Sequence, residues 1–266
     1  MRALALAIMI ALSSSASAAD IKVMAAGSLK DAFTAVFADY ARQYGGGFSP
    51  VWGPSGVLRE RLAKGEAFDI FASASLPHAQ ALTDAGVSGP SVIFARNTLC
   101  ILTAADRAFE TGNLVDTMLR PEIKIGTSTP VSDPAGDYTW EMFRKIDATH
   151  PGAFDTLSKK AQQIFGGPAS PAPVNGRPFF LVALDEHRID LLVTYCSGTQ
   201  QIVHDVPAYR SVALPPDLSG GPEYGLTVSH KAAAGAADVA MYLMSPPAQA
   251  TLKSFGFIPV ALPAGP

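Results

Sequence analysis

Apolar residues along this chain follow two alternating rhythms. Short apolar runs at residues 21–26, 48–52 and 68–72 have the character of buried strands. After the first, Leu29, Ala32, Phe33, Val36, Phe37 and Tyr40 recur every three or four positions, as on one face of a helix. A helix over 57–64, closed by Gly65, follows the second run, and one over 77–85, ended by Gly86, follows the third. Three strand–helix units in a row predict an α/β fold whose parallel sheet is covered on both faces.

A second section begins after Arg96-Asn97. It has predicted strands at 98–102 and 123–126 and a helix over 138–146. A stretch rich in Gly, Pro and Ala at 166–173 interrupts it, before a helix over 179–187 and a strand at 191–195. Extended segments at 212–214 and 224–228 precede closing helices over 232–244 and 246–255. The sequence has no internal repeat and no low-complexity tract.

Three turns open directly into these helices: Gly27-Ser28-Leu29-Lys30-Asp31, Gly53-Pro54-Ser55-Gly56-Val57 and Asp133-Pro134-Ala135-Gly136-Asp137. A helix start presents unpaired N–H groups and the positive end of the helix dipole, and small residues let an anion approach. A serine there is also an ordinary N-cap, and Ser28 with Asp31 three residues on fits a variant capping box. Two such serines in consecutive strand–helix units shift the balance toward a ligand, because ligands of open α/β sheets sit beyond the carboxyl ends of strands.

Composition narrows the partners. Residues 1–19 have one charge (Arg2), a short apolar core and a run of small residues, so they are expected to be a secretory leader rather than a membrane span. The net charge of −3 and dispersed Lys and Arg argue against nucleic acid. Any anion must therefore be attracted by local dipoles. Cys100 and Cys196 enter an oxidising compartment either bridged or as two buried thiols, and sequence leaves both readings open.

Enzyme signatures are weak. Neither serine lies in a G-x-S-x-G elbow, and His78, His150, His187, His204 and His230 are scattered without a metal-binding spacing. Asp69 and Asp133 could form an acid–base pair, but Asp is also the commonest turn and cap residue. Tyr195, at the end of an apolar strand, fits a core or a cleft, with the core as the default unless a binding role for the strand end is argued independently. An exported serine hydrolase remains the alternative from another class.

Six motifs, in order, resemble those of periplasmic molybdate-binding proteins of ABC importers. They are Met24-Ala25-Ala26-Gly27-Ser28-Leu29-Lys30-Asp31-Ala32-Phe33, Pro54-Ser55-Gly56-Val57-Leu58, Phe68-Asp69-Ile70-Phe71-Ala72-Ser73-Ala74, Pro134-Ala135-Gly136, Val193-Thr194-Tyr195 and Phe255-Gly256-Phe257. The resemblance implies a type II periplasmic binding fold. Its two α/β lobes would comprise 20–97 with 217–266 and 98–216, with a cleft between them. It further implies a monomeric periplasmic receptor without cofactor, which holds molybdate or tungstate and hands it to an ABC permease in the inner membrane. By motif, the donors fall on Ser28, Ser55, Ala135 and Tyr195. Counting back from Tyr195 puts Arg177 where the family has a small apolar residue. An arginine in the cleft would add a full charge and point to another oxyanion or a small carboxylate.

Overall fold

The computed structural model describes residues 20–107 and 111–261, so the expected leader lies outside the described residues. The chain begins with β1 (Ile21–Ala26), α1 (Lys30–Tyr44), β2 (Phe48–Gly53), α2 (Ser55–Ala63), β3 (Ile70–Ser73), α3 (Leu76–Asp84) and β4 (Val92–Arg96). It continues with β5 (Leu99–Ala104), α4 (Leu114–Leu119), β6 (Ile125–Ser128), α5 (Pro134–Asp147), α6 (Ala153–Lys160), β7 (Gln162–Phe165), α7 (Phe179–Asp185), β8 (Leu191–Tyr195), α8 (Cys196–Asp205) and β9 (Tyr209–Ala213). Finally come β10 (Glu223–Val228), α9 (Ala236–Leu243), α10 (Pro246–Ser254) and β11 (Ile258–Pro259).

These strands form two sheets, ordered β11-β4-β10-β3-β1-β2 and β7-β6-β8-β5-β9. Each is mixed, which corrects the expectation of a purely parallel sheet. The strand–helix units at β1, β2 and β3 do pair in parallel, but β10 runs antiparallel to β3 and β4, and β5 antiparallel to β8 and β9. The physical reason is the route of the chain: it leaves the first sheet through β4 and re-enters through β10, and the outgoing and returning strands lie side by side. Described residues cross between sheets at 97–98 and 214–222. The crossings are tied together where Asn97 N–H donates to Pro222 O (3.0 Å) and Leu99 N–H to Ser219 O (3.2 Å).

Apolar periodicity sets the packing. The interior of β1 is fully buried, and Phe33 and Phe37 of α1 pack beneath it with Phe94 of β4. Each such ring contributes about 1.5–3 kcal/mol when withdrawn from water. Helix α5 shows the logic in one element: Asp133 caps it, Pro134 occupies the first turn, and Thr139, Met142, Phe143 and Ile146 form its buried stripe. Arg144 and Lys145 face the negative end of its dipole.

Cys100 of β5 and Cys196 at the start of α8 form a disulfide, with Cα atoms 4.9 Å apart. This settles the alternative left open by sequence. The bridge closes a loop with a sequence separation of 96, for which chain entropy gives about 4–5 kcal/mol. It also fixes the strand end that carries Tyr195. Replacing both cysteines by alanine is expected to lower unfolding free energy by roughly 3–5 kcal/mol, read as a lower urea midpoint. An unchanged midpoint would show that the bridge adds no net stability.

Candidate functional site

The carboxyl ends of β1, β2 and β8 and the starts of α2, α5 and α8 converge on one cavity of about 380 Å³ between the two sheets. Ser28, Ser55, Ala135 and Tyr195 all line it, two from each side. Arg177 does not. Its guanidinium pairs instead with Asp185, bonds the Tyr209 hydroxyl and lies over the Tyr209 ring. The cleft positions here are instead Phe165, the last residue of β7, and Gly166 just after it. Because the chain between β7 and α7 is long, counting back from Tyr195 leads away from the cavity.

The serines depart from their expected N-cap role: neither makes a side-chain capping bond. Ser28 sits inside a 3-10 turn, Gly27–Leu29, that precedes α1, and Ser55 is the first residue of α2 behind Pro54. Their hydroxyls are engaged across the fold. Ser55 Oγ accepts the N–H of Ala74 (3.0 Å), so its own proton is left to give.

Ser28 reaches the same state by a longer route. Asn97 Oδ1 accepts from Thr98 N–H (2.9 Å) and from Ser197 N–H (3.4 Å), which orients its amide so that Nδ2 is the donor at the other end. Nδ2 donates to Ser197 Oγ (2.8 Å) and to the Tyr224 hydroxyl oxygen (3.2 Å). Tyr224 then has one proton to give, and its partner is Ser28 Oγ (3.0 Å). The Ser28 hydroxyl consequently accepts from Tyr224 and keeps its own proton for the cavity.

Tyr195 completes the set of hydroxyls. Its phenol is fully buried, packs against the Tyr224 ring at 5.6 Å and has no hydrogen-bond partner among the described residues. Burial, reinforced by the neighbouring Tyr224 hydroxyl, holds it protonated far above the ordinary phenol range. An orphaned buried hydroxyl costs about 1–3 kcal/mol, and a ligand acceptor would relieve that cost.

Ala135 lies in the first turn of α5, but its N–H is taken by the Oδ1 of Asp133 (3.1 Å). Asp133 is enclosed by protein yet turns part of its surface to the cavity. Burial raises its pKa to about 6, opposed by the Ala135 N–H and by the Ser128 hydroxyl, which stands close without a well-aligned bond. Asp137 pushes it further up. Gly166, at φ 76°, leaves room here: a Cβ would sit 2.3 Å from Asp133 Oδ2. Among the described residues no Lys, Arg or His lines the cavity, and Asp133 is the single charged residue that does. Asp69, the other half of the imagined acid–base pair, bonds the N–H groups of Lys22 and Ala233 and lines a different cavity.

The two sides touch beside this cavity. Gly56 N–H donates to Ser132 O (2.9 Å), and a Cβ on Gly56 would meet Val131 O at 2.1 Å. Val131 holds φ 70°, unusual for a β-branched residue, and its N–H is anchored by Asp137 Oδ1 (2.8 Å).

Residues 21–258 match the family described as bacterial extracellular solute-binding protein. The chain belongs to this family. An uncharacterized protein of Pasteurella multocida is 33% identical over 183 residues, covering 68% of this chain and 76% of that one. Among solved structures, the periplasmic molybdate-binding protein of Azotobacter vinelandii superposes with a TM-score of 0.70 at 18% identity, over 92% of this chain and 100% of that one. The sulfate-binding protein SubI of Mycobacterium tuberculosis H37Rv gives 0.74 at 18%, over 91% and 87%. A ferric binding protein of Campylobacter jejuni gives 0.65 at 11%, over 90% and 86%. At these identities the likeness shows the fold, that of two-lobed type II periplasmic binding proteins, and leaves the ligand to be argued from the site.

Three residues of this solute-binding protein's site lay outside the sequence-derived donor set. Tyr224 gave only a strand signal. Asn97 marked only a change of section. Asp133 was set aside as a turn residue, although Asp-Pro before a helical stripe is the signature of an N-cap whose carboxylate occupies the first N–H groups.

Two outcomes follow for the solute-binding protein. Gly56→Ala puts a methyl against backbone, so the lobes are expected to stand further apart in small-angle scattering. Overpacking of about 1–3 kcal/mol would weaken ligand binding roughly tenfold or more. Asp133 is bound to its proton more tightly when folded (about 6) than at its ordinary value of 3.8. Its stabilising contribution is therefore complete below pH 4 and is lost as pH rises through 6. Against wild type, Asp133→Asn should gain up to about 3 kcal/mol in unfolding free energy between pH 4 and pH 7, measured by urea titration of the free protein at each pH.

Proposed function

We propose that this chain is the periplasmic receptor of an ABC importer, exported by its leader, which captures a small tetrahedral oxyanion in the interlobe cleft. Molybdate or tungstate is the first candidate. As a monomer, the receptor delivers its cargo to a permease in the inner membrane. One observation carries this reading: the hydroxyls of Ser28, Ser55 and Tyr195 come from both lobes, each with its proton uncommitted, and meet at one cavity.

Such a set suits an anion held without a counter-charge. Hydroxyl and backbone donors in a low-dielectric cleft bond an anion strongly, and bonds to a charged acceptor contribute about 1.5–3 kcal/mol each. The N–H groups of Ser28 and Ser55, at helix starts, add to them. Since donors belong to two lobes, the anion stabilises the arrangement in which both reach it, and closure gains population. Discrimination against sulfate, of equal charge and shape, falls to cavity size.

A second reading rests on the cavity itself. Its volume of about 380 Å³ far exceeds the few waters, at about 30 Å³ each, that a tetrahedral anion displaces, and Trp52, Phe165, Phe180 and Ile202 provide an apolar wall. An anion with an organic substituent would use both features. Hydrolysis is less favoured, because a cavity serine would need a base and no histidine is among the lining residues.

Ligand at a hundred times its dissociation constant adds about 2.7 kcal/mol, which is roughly 5–10 °C in melting temperature for a chain of this size. Molybdate is expected to give such a shift and sulfate none, and Ser28→Ala or Ser55→Ala should remove most of it. Variants that respond like wild type would refute the site. A shift from small organic phosphates or carboxylates, with none from molybdate, would favour the second reading, and turnover of simple esters would favour the hydrolase.

A further inference from the structure

The donor set and the charge of the cleft are at odds. Ser28, Ser55 and Tyr195 offer protons to an anion, yet Asp133 lies among them and its carboxylate holds the Ala135 N–H that an anion would take. Among the described residues no cationic side chain lines the cavity to reconcile two negative groups. At contact distance and an effective dielectric of about 20, the repulsion of two unit charges would cost about three powers of ten in affinity, too much for a receptor to leave unrelieved. A carboxylate accepts only, so it offers an oxyanion nothing, whereas a carboxylic acid has one O–H to give.

The groups facing Asp133 leave a proton as the remedy. Its own helix contributes Asp137, which is also anionic and has its pKa raised by burial. Tyr195 from β8 and Tyr224 from β10 are held protonated by burial and carry no charge to give. Ser128 at the end of β6 and Gly166 after β7 do not titrate, and neither do Ser55 and Gly56 of α2 nor Gly198 and Ile202 of α8.

Resting on the oxyanion reading above, we propose that Asp133 is a specificity-determining residue through which the cleft takes up one proton with each proton-free oxyanion. The proton comes from solvent and adds to an Asp133 carboxylate oxygen. The resulting O–H donates to the anion, and the Ala135 N–H, released from its cap, turns to the same anion. An oxyanion that brings its own O–H satisfies the carboxylate directly and needs no proton from solvent. Asp133 thereby sorts anions by whether they carry a proton, a property that cavity size does not read.

The test is calorimetric titration of the mature protein with molybdate from pH 5 to pH 8.5, each pH in two buffers of different ionisation enthalpy. Wild type is expected to bind with constant affinity below about pH 6 and to lose affinity toward tenfold per pH unit above it, with about one proton taken up per anion at pH 8. Asp133→Asn keeps a capping oxygen and gains a permanent donor, so its affinity should be level across the range with no proton uptake. Wild-type binding that is independent of pH and of buffer would overturn the proposal while leaving the receptor intact, as would a pH slope that persists in the Asn variant. The wild-type proton count decides the matter even if the variant fails to fold. If neither molybdate nor tungstate produces binding heat in either protein at any pH, the oxyanion reading itself falls.

Discussion

Asn97 sits where the chain first passes from one lobe to the other, and its side-chain amide bonds Tyr224 of β10 in the first lobe and Ser197 of α8 in the second, while its backbone N–H holds the return crossing at Pro222. A hydroxyl has one proton, so each bond in a chain of hydroxyls dictates the sense of the next. Asn97 starts that chain as a donor, Tyr224 passes the sense on, and Ser28 is left with a proton that no described residue claims. If an acceptor-only group stood at position 97, the order would reverse: Tyr224 would donate inward and Ser28 would spend its proton on Tyr224. The chemistry at the cleft is thus decided about two side chains away. A buried network of this kind is tolerable only because its members are satisfied, and beside it the unsatisfied hydroxyl of Tyr195 belongs to a residue that lines the cavity.

The same location explains the placement of the disulfide. Tyr195, Cys196 and Ser197 are consecutive, so three neighbouring residues supply a cavity hydroxyl, a covalent tie to β5 and the partner of Asn97. A site without formal positive charge depends on directed dipoles, and their strength falls steeply as geometry loosens. A lysine could follow its anion on a flexible stem, but a phenol at the end of a buried strand cannot. Holding that strand end by a covalent bond, a hydrogen bond and a packed ring is what makes neutral donors adequate.

Much of this was legible in the sequence, and the failures were physical. The helix starts at Ser28, Ser55 and Ala135 were readable because local backbone geometry and small residues determine them. Which acceptor or donor each hydroxyl would meet was not, because Tyr224 is 196 residues from Ser28 and Ala74 is 19 from Ser55. Arg177 misled because counting along a chain assumes a constant loop length, and the segment between β7 and α7 is long. Its guanidinium found Asp185 and Tyr209 instead. The mixed sheets escaped notice because strand direction is a property of the route between lobes, which apolar rhythm does not record. Asp133 was visible all along as a cap, but the consequence of capping, that the N–H predicted for a ligand is already occupied, needed the coordinates.

That occupancy changes how the cleft is understood as a whole. Three hydroxyls and the helix starts make the cavity attractive to any oxygen-rich anion, and attraction alone does not discriminate. A carboxylate placed at the best of those N–H groups acts as an internal rival for it. On the proposal above, an anion without a proton binds together with one from solvent, which turns the rival into a donor, and an anion with its own O–H gives that proton to the carboxylate in a hydrogen bond. Gly166 leaves the space in which Asp133 Oδ2 sits, and burial raises its pKa to about 6, so that the switch between the two forms costs little near that pH. A carboxyl at the ordinary value of 3.8 would demand about two pH units more. Burial of Asp133, a cost to the folded chain, is on this view the feature that lets a negatively charged residue belong to an anion site.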